Sequence, residues 1–222
     1  MSHARRAFTG CLSTGKEAHQ MDNDKQIVQY LEELAKVLTD LQVTRPFHML
    51  IIGGAYMLLQ KKRRFTLDID FALIQSPRRA RPKKVFRTTV QRIEVSRRTS
   101  TVPFAAEFKQ AVGMVAQWHR DLLDDWLNDE AAVYFYDDAP HVEVTFWRSF
   151  GDLIFVYLPT MEYMLATKIA AYRPKDADDI QMLIQDLNIR TRAQAKAIVD
   201  KFLLPDAQQF WEVEEKLEIL FP

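Results

Sequence analysis

The chain has 222 residues, with 30 Lys and Arg balanced by 30 Asp and Glu and a single cysteine. A formal net charge of zero offers no global argument for a nucleic-acid partner, so any such argument rests on local clusters. The lone Cys11 excludes an intramolecular disulfide, no Cys/His spacing resembles a zinc site, and no apolar run approaches the roughly 20 residues that cross a bilayer, so a reducing, cytoplasmic setting without a membrane partner is expected.

Residues 1–20 hold three Arg/Lys and one Glu with little apolar periodicity. They lack the apolar core of a signal peptide, and residues 1–23 read as a disordered leader with Met21 an alternative start. From Asp24, Ile27, Leu31, Leu34, Leu38 and Leu41 recur at helical spacing and predict an amphipathic helix. "FHMLIIGG" then reads as a short buried strand stopped by glycines, and "AYMLLQKKRR" as a helix. "LDIDFALI" alternates as a strand of period 2 whose second face begins with Asp68 and Asp70.

Residues 76–98 follow, with nine Arg/Lys and one Glu. Within them "VFRTTVQRIEV" suits a strand or a short helix. "FAAEFKQAVGMVAQWHRDLLDDWLND" predicts one or two helices stopping near Asn128, and "AVYFYDD", "HVEVTFW" and "GDLIFVYLP" predict strands. Thr160 is the expected N-cap of "MEYMLATKIAAYR", and three further helices are expected, the second of them capped by Thr191. The sum is an α+β fold: a mixed β-sheet flanked by helices over residues 24–158, and a helical region over 159–222 packed on that core.

Two Asp at i and i+2 on a strand project from one face, ~7 Å apart at the backbone, and converge on one divalent cation. Such a pair is costly to desolvate without a counter-charge, which makes Mg²⁺ or a nearby Arg the expected partner. Gly53-Gly54 at a strand-to-helix junction lets backbone N–H groups approach a phosphate. Arg63 and Arg64 stand between the two motifs, either as a solvated face or as partners of a phosphate or carboxylate.

Gly53-Gly54, thirteen intervening residues, then Asp68-Ile69-Asp70-Phe71 resembles the nucleotidyltransferase superfamily of polymerase-β type. Arg64 and Thr66, just before the Asp pair, are similar to the minimal branch that includes the AbiEii-type abortive-infection toxins. The segment "LPTMEYMLATKIAAYRPKDADDIQML" resembles the helical part of that branch in its Glu162, Leu165, Ala166, Lys168, Arg173, Asp176 and Asp179, and "DDWLND" resembles a segment of one subgroup. The resemblance implies a nucleotidyltransferase-like fold, Mg²⁺ on Asp68 and Asp70, NTP phosphates on Gly53, Gly54 and Lys168, with Arg64 and Thr66 beside them, and a structuring role for Asp176. It also implies RNA or tRNA as acceptor and an antitoxin as partner. Lys168 on an apolar face also fits an ordinary snorkelling lysine, and Asp176 or Asp179 an ordinary helix cap.

Active members of the superfamily usually supply a third carboxylate. Glu143, acidic between Val142 and Val144, is the candidate for base or third ligand. The basic stretch between Arg78 and Arg98 is either an RNA backbone contact or a solvated insertion. The functional expectation is an Mg²⁺-dependent transferase moving a nucleotide from an NTP to an acceptor hydroxyl; the alternative is an inactive nucleotide- or protein-binding module of the same fold.

Overall fold

The computed structural model describes residues 20–74, 83–85, 88–93, 106–129 and 142–222, the two short central pieces as backbone only. The first helix, α1 (Asp24–Asp40), is opened by Asn23, whose side chain accepts the Gln26 N–H at 3.1 Å. Its apolar stripe of Ile27, Leu31, Leu34 and Leu38 is fully buried, as the spacing predicts. After it come β1 (Phe47–Ile51), α2 (Gly53–Leu59), β2 (Ile69–Ile74), β3 (Lys83–Val85) and β4 (Thr88–Ile93). The central part closes with α3 (Ala106–Trp118), β5 (Leu127–Asn128), β6 (Val142–Phe150) and β7 (Ile154–Pro159).

These strands form one mixed sheet in the order β3-β4-β6-β7-β1-β2-β5. Neighbours are antiparallel except β1 with β7 and β2 with β5, which are parallel. The register of β2 on β1, Ile51 opposite Phe71, is the step that builds the site. It places Asp70 level with Ile52, whose N–H donates to the Asp70 carbonyl at 3.0 Å, so the first acidic strand residue arrives beside the glycine turn.

The C-terminal region is helical, as expected: α4 (Met161–Ala171), a single 3-10 turn (Pro174–Asp176), α5 (Ala177–Asp186), α6 (Arg192–Phe202), α7 (Pro205–Phe210) and α8 (Val213–Leu220). Thr160 accepts the Tyr163 N–H, and Thr191 forms a capping box with Gln194. Apolar residues from this region and from the sheet belong to one continuous core. Among the described residues, no helix is long and apolar enough to cross a membrane.

Several expectations are corrected. Strand β2 begins at Ile69, so Asp68 stands just before it and Asp70 within it, and all six of its residues are buried rather than alternating. α2 starts at Gly53 and ends at Leu59, after which Lys61 turns the chain at φ 58°. The segment after α3 is not a second helix: Trp126 is fully buried, its indole N–H donates to the Val112 carbonyl at 3.1 Å, and its own carbonyl accepts from Ile69. Those contacts pull Leu127 and Asn128 into the sheet edge beside Ile69 and Asp70. The final predicted helix divides at Glu212, which has φ 50°. Within "VFRTTVQRIEV" the backbone is strand, pairing β4 with β6. "AVYFYDD", residues 1–19 and most of the basic stretch between Arg78 and Arg98 lie outside the described residues.

The expectation of a disordered leader over 1–23 does not hold at Met21, while residues 1–19 lie outside the described residues. Met21 is fully buried and exchanges two backbone hydrogen bonds with Thr66, at 2.8 and 2.9 Å, so it is part of the folded unit and pins the segment before the acidic strand. Truncating a fully buried Met leaves a cavity that a packed core relaxes into only partly. Met21→Ala is therefore expected to lower unfolding free energy by about 2–4 kcal/mol, measured by urea denaturation at neutral pH.

Candidate active site

Why the glycines are needed is visible from what presses on them. Gly53 has φ +63°, and a Cβ there would lie 2.0 Å from Asp70 Oδ2. A Cβ on Gly54 would lie 2.5 Å from Thr66 Oγ1 and 2.8 Å from the Arg63 guanidinium. Only glycine admits this approach of side chains to backbone. The group that closes on Gly53 is the carboxylate of the acidic strand, so the glycine turn and the Asp pair are one packed unit.

A cleft of about 210 Å³ opens at this junction, lined by Gly54, Thr66, Asp68 and Asp70 on the sheet side and by Arg173, Lys175 and Asp176 from the helical region. Arg63, Phe65 and Leu67 complete its wall. Asp70 is 6% exposed, while Asp68 is half-buried. The Thr66 hydroxyl donates to the Asp68 carbonyl at 3.0 Å, which fixes the bend from which the pair emerges.

Burial pushes the Asp70 carboxyl up to about 6, and the negative charge of Asp68 adds to that shift against the opposing charges of Arg173, Lys175 and Lys168. A carboxyl held out of water beside a second one is a group whose ionised form a cation would relieve. Among the described residues no set of three or more His, Cys, Asp or Glu side chains is arranged to hold a metal. Mg²⁺ does not need one, because it commonly takes one or two protein carboxylates and fills its octahedron with water and phosphate oxygens. The pair Asp68 and Asp70 in a polar cleft fits that pattern of coordination.

Behind the cleft lies a buried ion cluster. Lys168, 3% exposed, is 2.7 Å from Asp176 Oδ1 and 2.8 Å from Asp179 Oδ2. The Asp179 contact is an ion pair without hydrogen-bond alignment, and Arg63 lies 3.5 Å from the same oxygen. Arg173 Nε donates to Asp176 Oδ2 at 2.6 Å. For Asp176 burial alone would raise the carboxyl, but the hydrogen bond from Arg173 together with the charge and hydrogen bond of Lys168 outweighs it and holds the group below its ordinary value.

The expected site residues are thus partly assembled and partly dispersed. Gly54, Thr66, Asp68 and Asp70 line the cleft, and Gly53 lies under Asp70. Lys168 is corrected from a phosphate ligand to the counter-ion of Asp176 and Asp179, one layer behind the cleft. Asp176 makes no helix-capping hydrogen bond, its oxygens being spent on Lys168 and Arg173. Arg64 is exposed, and the neighbouring Arg63 takes the lining position instead. Glu143 is corrected most plainly. Its strand β6 is separated from β2 by β7 and β1, so at strand spacing it stands ~14 Å away, beyond shared ligation with the Asp pair. Lys175, Phe65 and Leu67 were not anticipated as lining residues. Their only sequence signal is adjacency to motif residues.

Two outcomes follow from these electrostatics. Because Asp70 binds its proton more tightly folded than unfolded, its own contribution to stability is greatest below the ordinary carboxyl range and falls as pH rises from about 4 through about 6. Asp70→Asn, measured without divalent cations, is expected to raise stability by up to about 3 kcal/mol at pH 8 and to change it little at pH 4. Lys168→Met removes the counter-ion shared by two buried carboxylates, leaving Asp176 with Arg173 and Asp179 with the longer contact to Arg63, and is expected to cost about 3–5 kcal/mol at pH 7. Adding Asp176→Asn and Asp179→Asn to it should recover more than half of that in guanidinium unfolding. Comparisons with family models, with curated proteins and with solved structures return no match to this chain.

Proposed function

We propose that the chain is an Mg²⁺-dependent nucleotidyltransferase, moving a nucleotide from an NTP to an acceptor hydroxyl, with RNA as the acceptor class. The observation that carries the reading is the seating of the Asp70 carboxylate on Gly53 with Asp68 beside it, in a cleft that also presents Arg63, Arg173 and Lys175. Asp68 and Asp70 would hold the metal, and the three cationic side chains suit triphosphate oxygens by charge. Mg²⁺, when bound, supplies charge neutralisation at the phosphates and acidifies the attacking hydroxyl. Lys168 and Asp176 act by holding Arg173 in place, since Arg173 is hydrogen-bonded to a carboxylate that Lys168 itself anchors. The resemblance of Gly53-Gly54 and Asp68-Ile69-Asp70 to polymerase-β-type enzymes supports the same reading and extends it to tRNA ends, an antitoxin partner and a cytoplasmic setting.

A second reading, a nucleotide-binding module without transfer, is favoured by one observation: Glu143 does not reach the Asp pair. A single experiment separates the two. Purified protein is incubated with each labelled NTP, Mg²⁺ and total RNA, beside the Asp70→Asn variant. Transfer of label, reduced at least ~100-fold in a variant that is more stably folded, supports the enzyme. Mg²⁺-dependent NTP binding without transfer supports the module, and no NTP binding at all removes both.

A further inference from the structure

The cleft lining is of two chemical kinds. One is ionic, with Asp68, Asp70, Arg63, Arg173 and Lys175. The other is apolar, Phe65 and Leu67, each 38% exposed. Large apolar side chains exposed singly on a surface need no explanation, but two that flank a charged cleft together create an amphiphilic surface. Their exposure is imposed by the backbone. Thr66, between them, is buried at 3%, hydrogen-bonded in both directions to Met21 and tied by its hydroxyl to the Asp68 carbonyl. With Thr66 held inward by these bonds, Phe65 and Leu67 on either side of it stay partly exposed.

A ligand that satisfies both kinds of lining has an anionic group and a flat, weakly polar ring. We infer that Phe65, supported by Leu67, is the nucleobase-stacking surface of the cleft, the base lying on the Phe65 ring while the phosphates face Arg63, Arg173 and Lys175. This deepens the nucleotide reading above and rests on it. An aromatic face accepts any base, because every base offers a π-surface, and base–aromatic stacking is a substantial share of single-nucleotide affinity. A phenyl ring has no hydrogen-bonding group, so Phe65 contributes affinity rather than base identity.

The test compares two probes in the presence of Mg²⁺ by titration calorimetry: ATP, which has a base, and inorganic tripolyphosphate, which has none. The wild-type chain, Phe65→Ala, Phe65→Trp and Asp70→Asn are compared, with thermal unfolding of each as the check on folding. Phe65→Ala is expected to weaken ATP roughly 10-fold and leave tripolyphosphate unchanged, while Phe65→Trp keeps ATP affinity and Asp70→Asn weakens both probes. If Phe65→Ala binds ATP as wild type does, or loses both probes equally, the stacking assignment is overturned although the nucleotide reading stands. If the wild-type chain binds neither probe, the nucleotide reading falls and the stacking surface with it.

Discussion

Everything particular to this molecule depends on the antiparallel return of β2 along β1, which drives the Asp70 carboxylate onto the backbone of Gly53 with no room for a Cβ between them. The contact is unfavourable to folding by itself. It removes an ionisable group from water, sets a second carboxylate beside it and raises its pKa to about 6. A chain selected only for stability would place an apolar residue in the buried position of a six-residue strand that is buried throughout. Retaining an acid there, and two glycines to admit it, is a local sacrifice of stability of the sort that functional sites show.

The helical region offsets that sacrifice electrostatically. Lys168 is buried between Asp176 and Asp179, Asp176 in turn orients Arg173, and the positive charges of Arg173, Lys175 and Lys168 all oppose the upward shift of Asp70. The cluster is internally paired, so its desolvation is tolerable, and breaking any one ion leaves the others exposed to a low-dielectric interior. Neither half of the chain makes the cleft alone: the α2–β2 part provides Asp68, Asp70 and Arg63, and the C-terminal region provides Arg173, Lys175 and Asp176. Lys62 with Asp186 and Arg63 with Asp179 tie the α2–β2 connection to α5 across the same boundary.

Much of the fold was legible because burial imposes a period. The stripe of α1, the caps at Thr160 and Thr191, and the strand character of residues around "HVEVTFW" and "GDLIFVYLP" all follow from local rules, and all appear in the structure. The failures share a cause as well. Leu127 and Asn128 read as a helix end but form an edge strand because the buried Trp126 fixes the chain against β2. Glu143 has the local pattern of a strand carboxylate, but strand order is a non-local property, and β7 and β1 intervene. Lys168 lies in the right motif, yet its partners eight and eleven positions on are the carboxylates that the same motif supplies.

By itself the sequence determined which residue types were out of place: two carboxylates entering a buried strand, and a glycine pair that no turn rule alone required. Those anomalies are local, since desolvation cost and steric allowance belong to individual residues, and they are enough to mark the candidate site. The tertiary structure decided which anomalies share a cavity. It joined Asp70 to Gly53, paired Lys168 with Asp176 and Asp179, brought Arg63, Arg173 and Lys175 into one cleft with the acids, and set Phe65 in its wall. Such pairings follow from strand register and helix docking, which are fixed by the burial of the whole core and not by any short stretch of chain.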